Sequence, residues 1–269
     1  MSSNATPRES GPSEPLAELV RHAEAAARMA GAYALARQSR RSEVVARMHH
    51  DVKLQLDLET HEVAVDYLRG VYPQHVISGE EGDFTGIGEA TQWVIDPIDG
   101  TVNFFHGLPH WCSSVAVFHR GQAVAGAVYA PVADECFTAT AESPALRNGE
   151  PIRVTNAPSV HECLLLTGAV GRSMTGDAER WRRFRALAAE AGKIRVLGAA
   201  ALDSCFVACG RGDAFWQYDL NLWDVAAGGL IAAQAGARVE RFGTPDPVVG
   251  SYIMAGEKLF DALREFTGA

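Results

Sequence analysis

The sequence predicts an α/β chain of mixed α+β character, and three observations predict it. Apolar residues recur at helical spacing from Pro15 to about Arg41. Short β-like runs bounded by turn residues fill 76–154, and strand and helix patterns alternate after Thr155. In the first helix Leu16, Leu19, Val20, Ala23, Ala26, Ala27, Ala30 and Tyr33 share a face, with charges between them. A second helical pattern runs from about Asp57 through Val65 and Leu68 to Gly70, where Tyr72-Pro73 stops it. Asp57 is expected in its first turn.

The β-like runs cover 76–78, 93–95, 113–118, 123–129, 136–139 and 152–154. His119-Arg120-Gly121-Gln122 reads as a hairpin turn, and Asn148-Gly149 as another. In the second half, strands are predicted at 163–166, 193–196, 239–241 and 251–255. Helices are predicted at 178–191, 200–210 and 224–236, with a last one from Glu257. The expected organisation is a disordered tail over 1–15, an N-terminal half over 16–155 and a C-terminal half over 156–269, with a boundary at 150–158.

The chain has 269 residues, 47% hydrophobic and 21% charged, an ordinary balance for a globular protein with a large core. Its formal net charge of -9 provides no electrostatic reason to bind a phosphate backbone, so nucleic acid is not an expected substrate. No apolar run approaches the roughly 20 residues of a membrane span, and 1–15 lacks a signal-peptide core, so no membrane partner is expected. The five cysteines, Cys112, Cys136, Cys163, Cys205 and Cys209, lack the C-x-x-C spacing of zinc or redox sites. They read as reduced thiols of a cytoplasmic protein, with Cys205 and Cys209 as small core residues.

The chemistry centres on W-V-I-D-P-I-D-G-T, residues 93–101. Asp96 is expected where a buried strand ends, because Pro97 cannot donate to a central ladder. Asp99 follows one residue after a bend. Two ionised carboxylates about 4 Å apart repel by roughly 4 kcal/mol at an effective dielectric of 20. Such a pair is water-exposed, shares a proton or holds a cation. Oxygen-only donors of this kind suit Mg²⁺, Mn²⁺ or Ca²⁺ rather than Zn²⁺. The N–H groups of Gly100 and Thr101 at a turn offer an anion site beside the cation. Taken alone, D-P-x-D is more often a plain turn with Asp99 as a helix cap. Two more acids occur in similar settings: Glu80 in S-G-E-E-G ends another short strand, and Asp224 in W-D opens an Ala-rich helix.

The set G-E-E (79–81), D-P-I-D-G-T-x-N-F (96–104) with the following H-G-L-P, and W-D-V-A-A-G (223–228) resembles the inositol monophosphatase family of Mg²⁺-dependent, Li⁺-sensitive sugar phosphatases. Weaker similarity extends over 51–57, 145–154, 198–201 and 210–214, so the resemblance covers nearly everything from about residue 16. It implies a layered αβαβα sandwich, usually a homodimer, and a phosphoric monoester hydrolase acting on a small polyol or sugar phosphate. Histidinol phosphate and fructose bisphosphate remain alternative substrates. A regulatory binding protein on the same fold is the reading from another class.

Carried over residue by residue, the resemblance gives Glu80, Asp96 and the Ile98 carbonyl to a first Mg²⁺ and Asp96, Asp99 and Asp224 to a second. A third, weaker ion near Glu80 is also implied. Asp57, Thr101 and Glu80 are the implied catalytic residues, with the Thr101 hydroxyl and Asp57 positioning and deprotonating the attacking water. Gly100 and Thr101 would grip the phosphate. Asp99, Gly198, Ala199, Ala200, Gln217 and Asp224 complete the implied substrate site.

The match departs at four positions. Leu54 stands where the family usually has Thr, so helix capping must differ. Lys53 brings a new positive charge close to the phosphate site; contact with substrate or Glu80 competes there with a solvent-facing or Asp51-paired Lys, the blander expectation. Gln217 replaces the Glu of inositol-specific members and loses a charge-assisted hydrogen bond. Ala199 replaces Ser or Thr. Asn103-Phe104 stands where 3′-phosphoadenosine phosphatases have Glu-Phe, which argues against that nucleotide.

Overall fold

A computed structural model of the protein describes residues 12–48, 51–82, 84, 86–168 and 174–269. Residues 1–11 of the expected tail lie outside this description, as does the side chain of Asp51.

Helices α1 (Leu16–Ala36) and α2 (Gln55–Val71) cover one face of a seven-stranded sheet. Its strands are β3 (Val76–Gly79), β4 (Gln92–Asp99), β5 (Cys112–His119), β6 (Gln122–Ala130), β7 (Glu135–Thr140), β8 (Ser143–Arg147) and β9 (Glu150–Pro151), paired in chain order. Only β3 and β4 run parallel; the other pairs are antiparallel.

A five-stranded sheet has the order β11 (Lys193–Arg195), β10 (Leu164–Leu166), β12 (Ala214–Asn221), β14 (Val249–Ala255), β13 (Arg238–Phe242). Helices α5 (Ala200–Ala208) and α6 (Leu222–Gln234) lie between the two sheets, and α4 (Ala178–Glu190) and α7 (Glu257–Thr267) cover the far face. The result is the expected αβαβα order. A hairpin of β1 (Val44–Met48) and β2 (Asp51–Leu54) precedes α2, and the short α3 (Thr101–His106) follows β4. Among the described residues no helix is long and apolar enough to cross a membrane.

Sheet burial on both faces explains why the central strands read as continuous apolar runs. On β4, Trp93 and Ile95 face α1 and α2, while Val94 faces α5 and α6. On β5, Val115 and Val117 alternate with Ala116 and Phe118 in the same way. Helices with sheets on two sides are apolar nearly all round, as in A-A-L-D-S-C-F-V-A of α5. Their close approach needs Gly228, where a Cβ would fall 2.7 Å from Ser204 Cβ and 2.8 Å from Ala201 O. Cys205 is buried in this layer and Cys209 is half-buried; all five cysteines are free.

Several elements differ from expectation. The strand expected at 152–154 is replaced by single bonds, Ile152 N–H to Ala145 O and Val154 N–H to Ala235 O, and pairing ends at β9. Strand β12 is an addition at the centre of the second sheet, as are β8 and the β1–β2 hairpin. Strand β4 runs past Pro97 to Asp99 through a register shift against β5.

Candidate active site

The register shift in β4 makes the acid spacing work. In a regular strand, residues three apart point to opposite faces. Here Asp96 pairs with Ser114 and Asp99 with Cys112, so an extra residue bulges out and both carboxylates reach one side. Ser113 Oγ donates to Pro97 O at 2.6 Å and pins the bulge. Glu80 arrives from β3, whose last residue, Gly79, lies so close to β4 that a Cβ there would fall 1.9 Å from Ile95 O. The Glu80 N–H donates to that same carbonyl at 3.1 Å. The glycine of G-E-E therefore lets Glu80 lie beside Asp96.

Asp57 and Asp224 are positioned by one shared device. Each is the third residue of a helix, and its Oδ2 accepts the N–H of the residue before that helix. The donor is Leu54 at 2.7 Å for Asp57 and Asn221 at 2.8 Å for Asp224. Leu54 has no polar atom to return the bond, so α2 has only half of a capping box.

Asp99 also caps a helix, but a distant one. Its Oδ1 accepts from Ala200 N at 3.1 Å, and its Oδ2 accepts from Ala201 N at 2.9 Å, Leu202 N at 3.4 Å and Cys112 Sγ at 3.4 Å. It thus supplies the cap that Ala199 cannot. Gly100 turns the chain with φ 90°, and its missing Cβ leaves room for Ala199 Cβ, His110 O and Gly198 O within 3.0–3.2 Å. Thr101 Oγ1 donates to Ile98 O at 2.9 Å.

Glu80, Asp96, Ile98, Asp99, Gly100, Thr101, Gly198, Ala200, Gln217 and Asp224 line one cavity of about 370 Å³. Asp57 and Ala199 are buried beside it but do not line it. Asn103, Asn221, Gly168, Val102 and Val196 line it too, and none of these was singled out for the site from sequence. Asn103 donates through Nδ2 to His110 O at 2.8 Å and Leu197 O at 2.7 Å, tying α3 to the segment before α5.

Lys53 corrects the expectation of a solvent-facing side chain, since its Nζ lies 2.5 Å from Glu81 Oε2; pairing with the Asp51 side chain lies outside the described residues. The β1–β2 hairpin carries it over the edge of the acid group, and burial gives Glu81 a strong need for a counter-charge.

Burial pushes the Asp96 carboxyl well above its ordinary range, and repulsion from Glu80, Asp99 and Asp224 adds to it. Glu80 is raised by burial, then by Asp224, Asp57 and Glu81. Burial, followed by Asp203, lifts Asp99 to about 6, against the lowering effect of the Cys112, Leu202 and Ala201 bonds. Asp96 Oδ1 is buried without a hydrogen-bond partner. Among the described residues no three Asp, Glu, His or Cys side chains are drawn into a ready coordination shell. The donors nonetheless fit a hard divalent cation: they are carboxylate oxygens, crowded and desolvated, and one of them is orphaned.

Residues 16–265 match the Inositol monophosphatase family. The chain belongs to this family. It is 40% identical over 248 residues to the Nus factor SuhB of Pseudomonas aeruginosa, covering 88% of this chain and 91% of that one. It is 39% identical over 196 residues to the fructose-1,6-bisphosphatase/inositol-1-monophosphatase of Thermotoga maritima, covering 71% and 72%. The solved extragenic suppressor protein suhB from Bartonella henselae superposes with a TM-score of 0.83 at 29% identity, covering 93% of this chain and 98% of that one. Membership in the inositol monophosphatase family accords with the cavity, where Glu80, Asp96, Asp99 and Asp224 of the three acidic stretches meet.

Proposed function

We propose that this family member is a Mg²⁺-dependent phosphomonoesterase that hydrolyses a small polyol or sugar phosphate of the inositol-1-phosphate kind. The observation that carries the reading is Asp96, a fully buried carboxylate with an orphaned oxygen, at the meeting point of Glu80, Asp99 and Asp224. Glu80, Asp96 and the Ile98 carbonyl would hold one Mg²⁺, and Asp96, Asp99 and Asp224 a second, with a third ion near Glu80 left open by the resemblance. When bound, Mg²⁺ supplies charge neutralisation and makes a water acidic enough to attack near neutral pH.

The chain's own groups do the rest. The N–H groups of Gly100 and Thr101 bind the phosphate oxygens. Thr101 Oγ1 donates to Ile98 O, which leaves its lone pairs to accept from the attacking water and orient it. Asp57, already aligned by Leu54 N–H, takes the proton. The water oxygen bonds to phosphorus, the phosphorus–oxygen bond to the alcohol breaks in line, and the leaving alkoxide takes a proton from solvent while Asp57 returns its own to solvent. Gly198, Ala200 and Gln217 face the alcohol. Positioning and charge carry most of such a transfer. We place the enzyme in the cytoplasm, supported by five free cysteines, and as a homodimer, supported by the family alone.

The deciding experiment is a phosphate-release screen over inositol, sugar, bisphosphate and histidinol phosphates with and without Mg²⁺. Turnover should require Mg²⁺ and fall by orders of magnitude in Asp96→Asn. Robust metal-independent turnover would sink the reading. The 40% identity to a protein named as a Nus factor favours one other reading, a regulatory binding role on the same fold. No phosphatase activity in the parent, with partner-dependent function intact in Asp96→Asn/Asp99→Asn, would select it.

A further inference from the structure

The ion pair of Lys53 and Glu81 stands at the edge of the acid group and the phosphatase reading gives it no role. Its two members differ in environment: the Lys53 side chain is 34% exposed, whereas the Glu81 side chain is 2% exposed and lies 2.5 Å away. Burying a charge is costly without a counter-charge, and Lys53 supplies one to Glu81. Glu81 adjoins Glu80 in the chain, and the two repel. Glu80 and Asp57 in turn attract the Lys53 ammonium. One cation therefore faces three carboxylates, Glu81, Glu80 and Asp57.

We propose that Lys53 is a built-in cation of the site, whose ammonium neutralises Glu81 and confines divalent metal to Glu80, Asp96, Asp99 and Asp224. This rests on the metal reading of the cavity given above. The ammonium is a compact point charge on a flexible stem, reaching in from a half-exposed position on β2. A divalent ion next to Glu81 would have to displace it or lie against a like charge. Without Lys53, Glu81 loses its counter-charge, and a divalent ion can take that place beside Glu80. Such an arrangement of oxygen donors suits Mg²⁺ or Mn²⁺.

The test counts Mn²⁺ ions, using electron paramagnetic resonance for free Mn²⁺ and titration calorimetry for affinity, on the full chain and four variants: Lys53→Met, Lys53→Gln, Glu81→Gln and Lys53→Met/Glu81→Gln. Lys53→Met should bind one Mn²⁺ more than the parent, or bind its weakest Mn²⁺ roughly tenfold or more tightly. Glu81→Gln leaves the ammonium uncompensated and should weaken Mn²⁺ binding. The double variant should return close to the parent. Melting in chelator checks that each variant folds, and if Lys53→Met does not, Lys53→Gln carries the comparison. Unchanged stoichiometry and affinity in folded Lys53→Met and Lys53→Gln overturns the proposal while leaving the phosphatase reading standing. A parent chain that binds no Mn²⁺ overturns both.

Discussion

Glu80 and Asp96, delivered by neighbouring parallel strands, bring their carboxyls close enough to repel, and burial, the larger effect, raises both above the ordinary carboxyl range. Carboxyls that are buried and repel one another resist full ionisation unless a cation neutralises them. For groups whose folded pKa lies above the unfolded value, the folded state binds more protons. Their stabilising effect is complete below the unfolded carboxyl pKa of about 4 and is lost as pH rises through the folded values. Asp99, lifted to about 6, marks that window.

Melting in chelator and in saturating Mg²⁺ should therefore diverge as pH rises. The gain from Mg²⁺ should be small near pH 5 and large above about pH 7, because the ion binds the deprotonated carboxylates and stabilises by mass action. Asp96→Asn should flatten the difference. A Mg²⁺ gain that does not change with pH would contradict the raised carboxyl values of the site.

Asn103 is expected to position the site without touching the metal ligands. Its Nδ2 bridges His110 O and Leu197 O, and His110 in turn is 2.8 Å from the buried Asp203 of α5. These bonds hold Gly198–Ala200 against Gly100, the span where phosphate and alcohol are expected to meet. In Asn103→Asp the side chain keeps its size but cannot donate, and two carbonyls lose a partner at a cost of about 1–3 kcal/mol each. Phosphate release by Asn103→Asp should fall about tenfold or more, with the Mg²⁺-dependent melting gain retained. Loss of that gain together with activity would mean that Asn103 supports the metal site instead.

The sequence made some of this legible because its signals are local. Arg120-Gly121 and Asn148-Gly149 both adopt positive φ, which is why two hairpin turns could be read from residue type. Asp57 and Asp224 at third helical positions follow from the capping pattern. Strand β12 was hidden because its alternation, Phe215 and Leu220 to one core and Trp216 and Tyr218 to the other, is interrupted by a register shift around Asp219, whose φ is 53°. The Asp99 cap on α5 spans 101 residues and has no local trace. Lys53 finds Glu81 only through the path of the β1–β2 hairpin, which exposes most of β1 and so carries no apolar alternation.

Leu54 sets two magnitudes against each other. It occupies the residue before α2 with φ -107° and ψ 155°, a backbone that suits a capping Thr. It is also fully buried, in a cluster with Leu56, Ile98, Phe104 and Trp111. Leu54→Thr would gain a cap of about 1 kcal/mol. It would lose roughly 1.5–3 kcal/mol of side-chain burial, and a hydroxyl would enter an apolar cluster. Denaturant unfolding should show net destabilisation of about 1–2 kcal/mol; a more stable variant would show that the cap outweighs the core here.

Gln217 lines the cavity where the alcohol is proposed to bind, and it packs closely against Gly168. Its amide lies so close to Gly168 that a Cβ there would fall 2.2 Å from Oε1. Strand β12 shifts register just beyond it, before Leu220. In Gln217→Glu a carboxylate replaces the amide and strengthens a bond to a substrate hydroxyl by about 1 kcal/mol. Preference for inositol 1-phosphate over a phosphate ester without ring hydroxyls, read as a ratio of kcat/KM, should rise about fivefold. The metal ligands are untouched, so Mg²⁺ dependence should persist. Gly168→Ala is the complementary change: the new methyl must displace the amide, and the same ratio should fall while the Mg²⁺ melting gain stays. If neither substitution moves the ratio, the alcohol is recognised elsewhere along the cavity, and Gln217 only fills space beside Gly168.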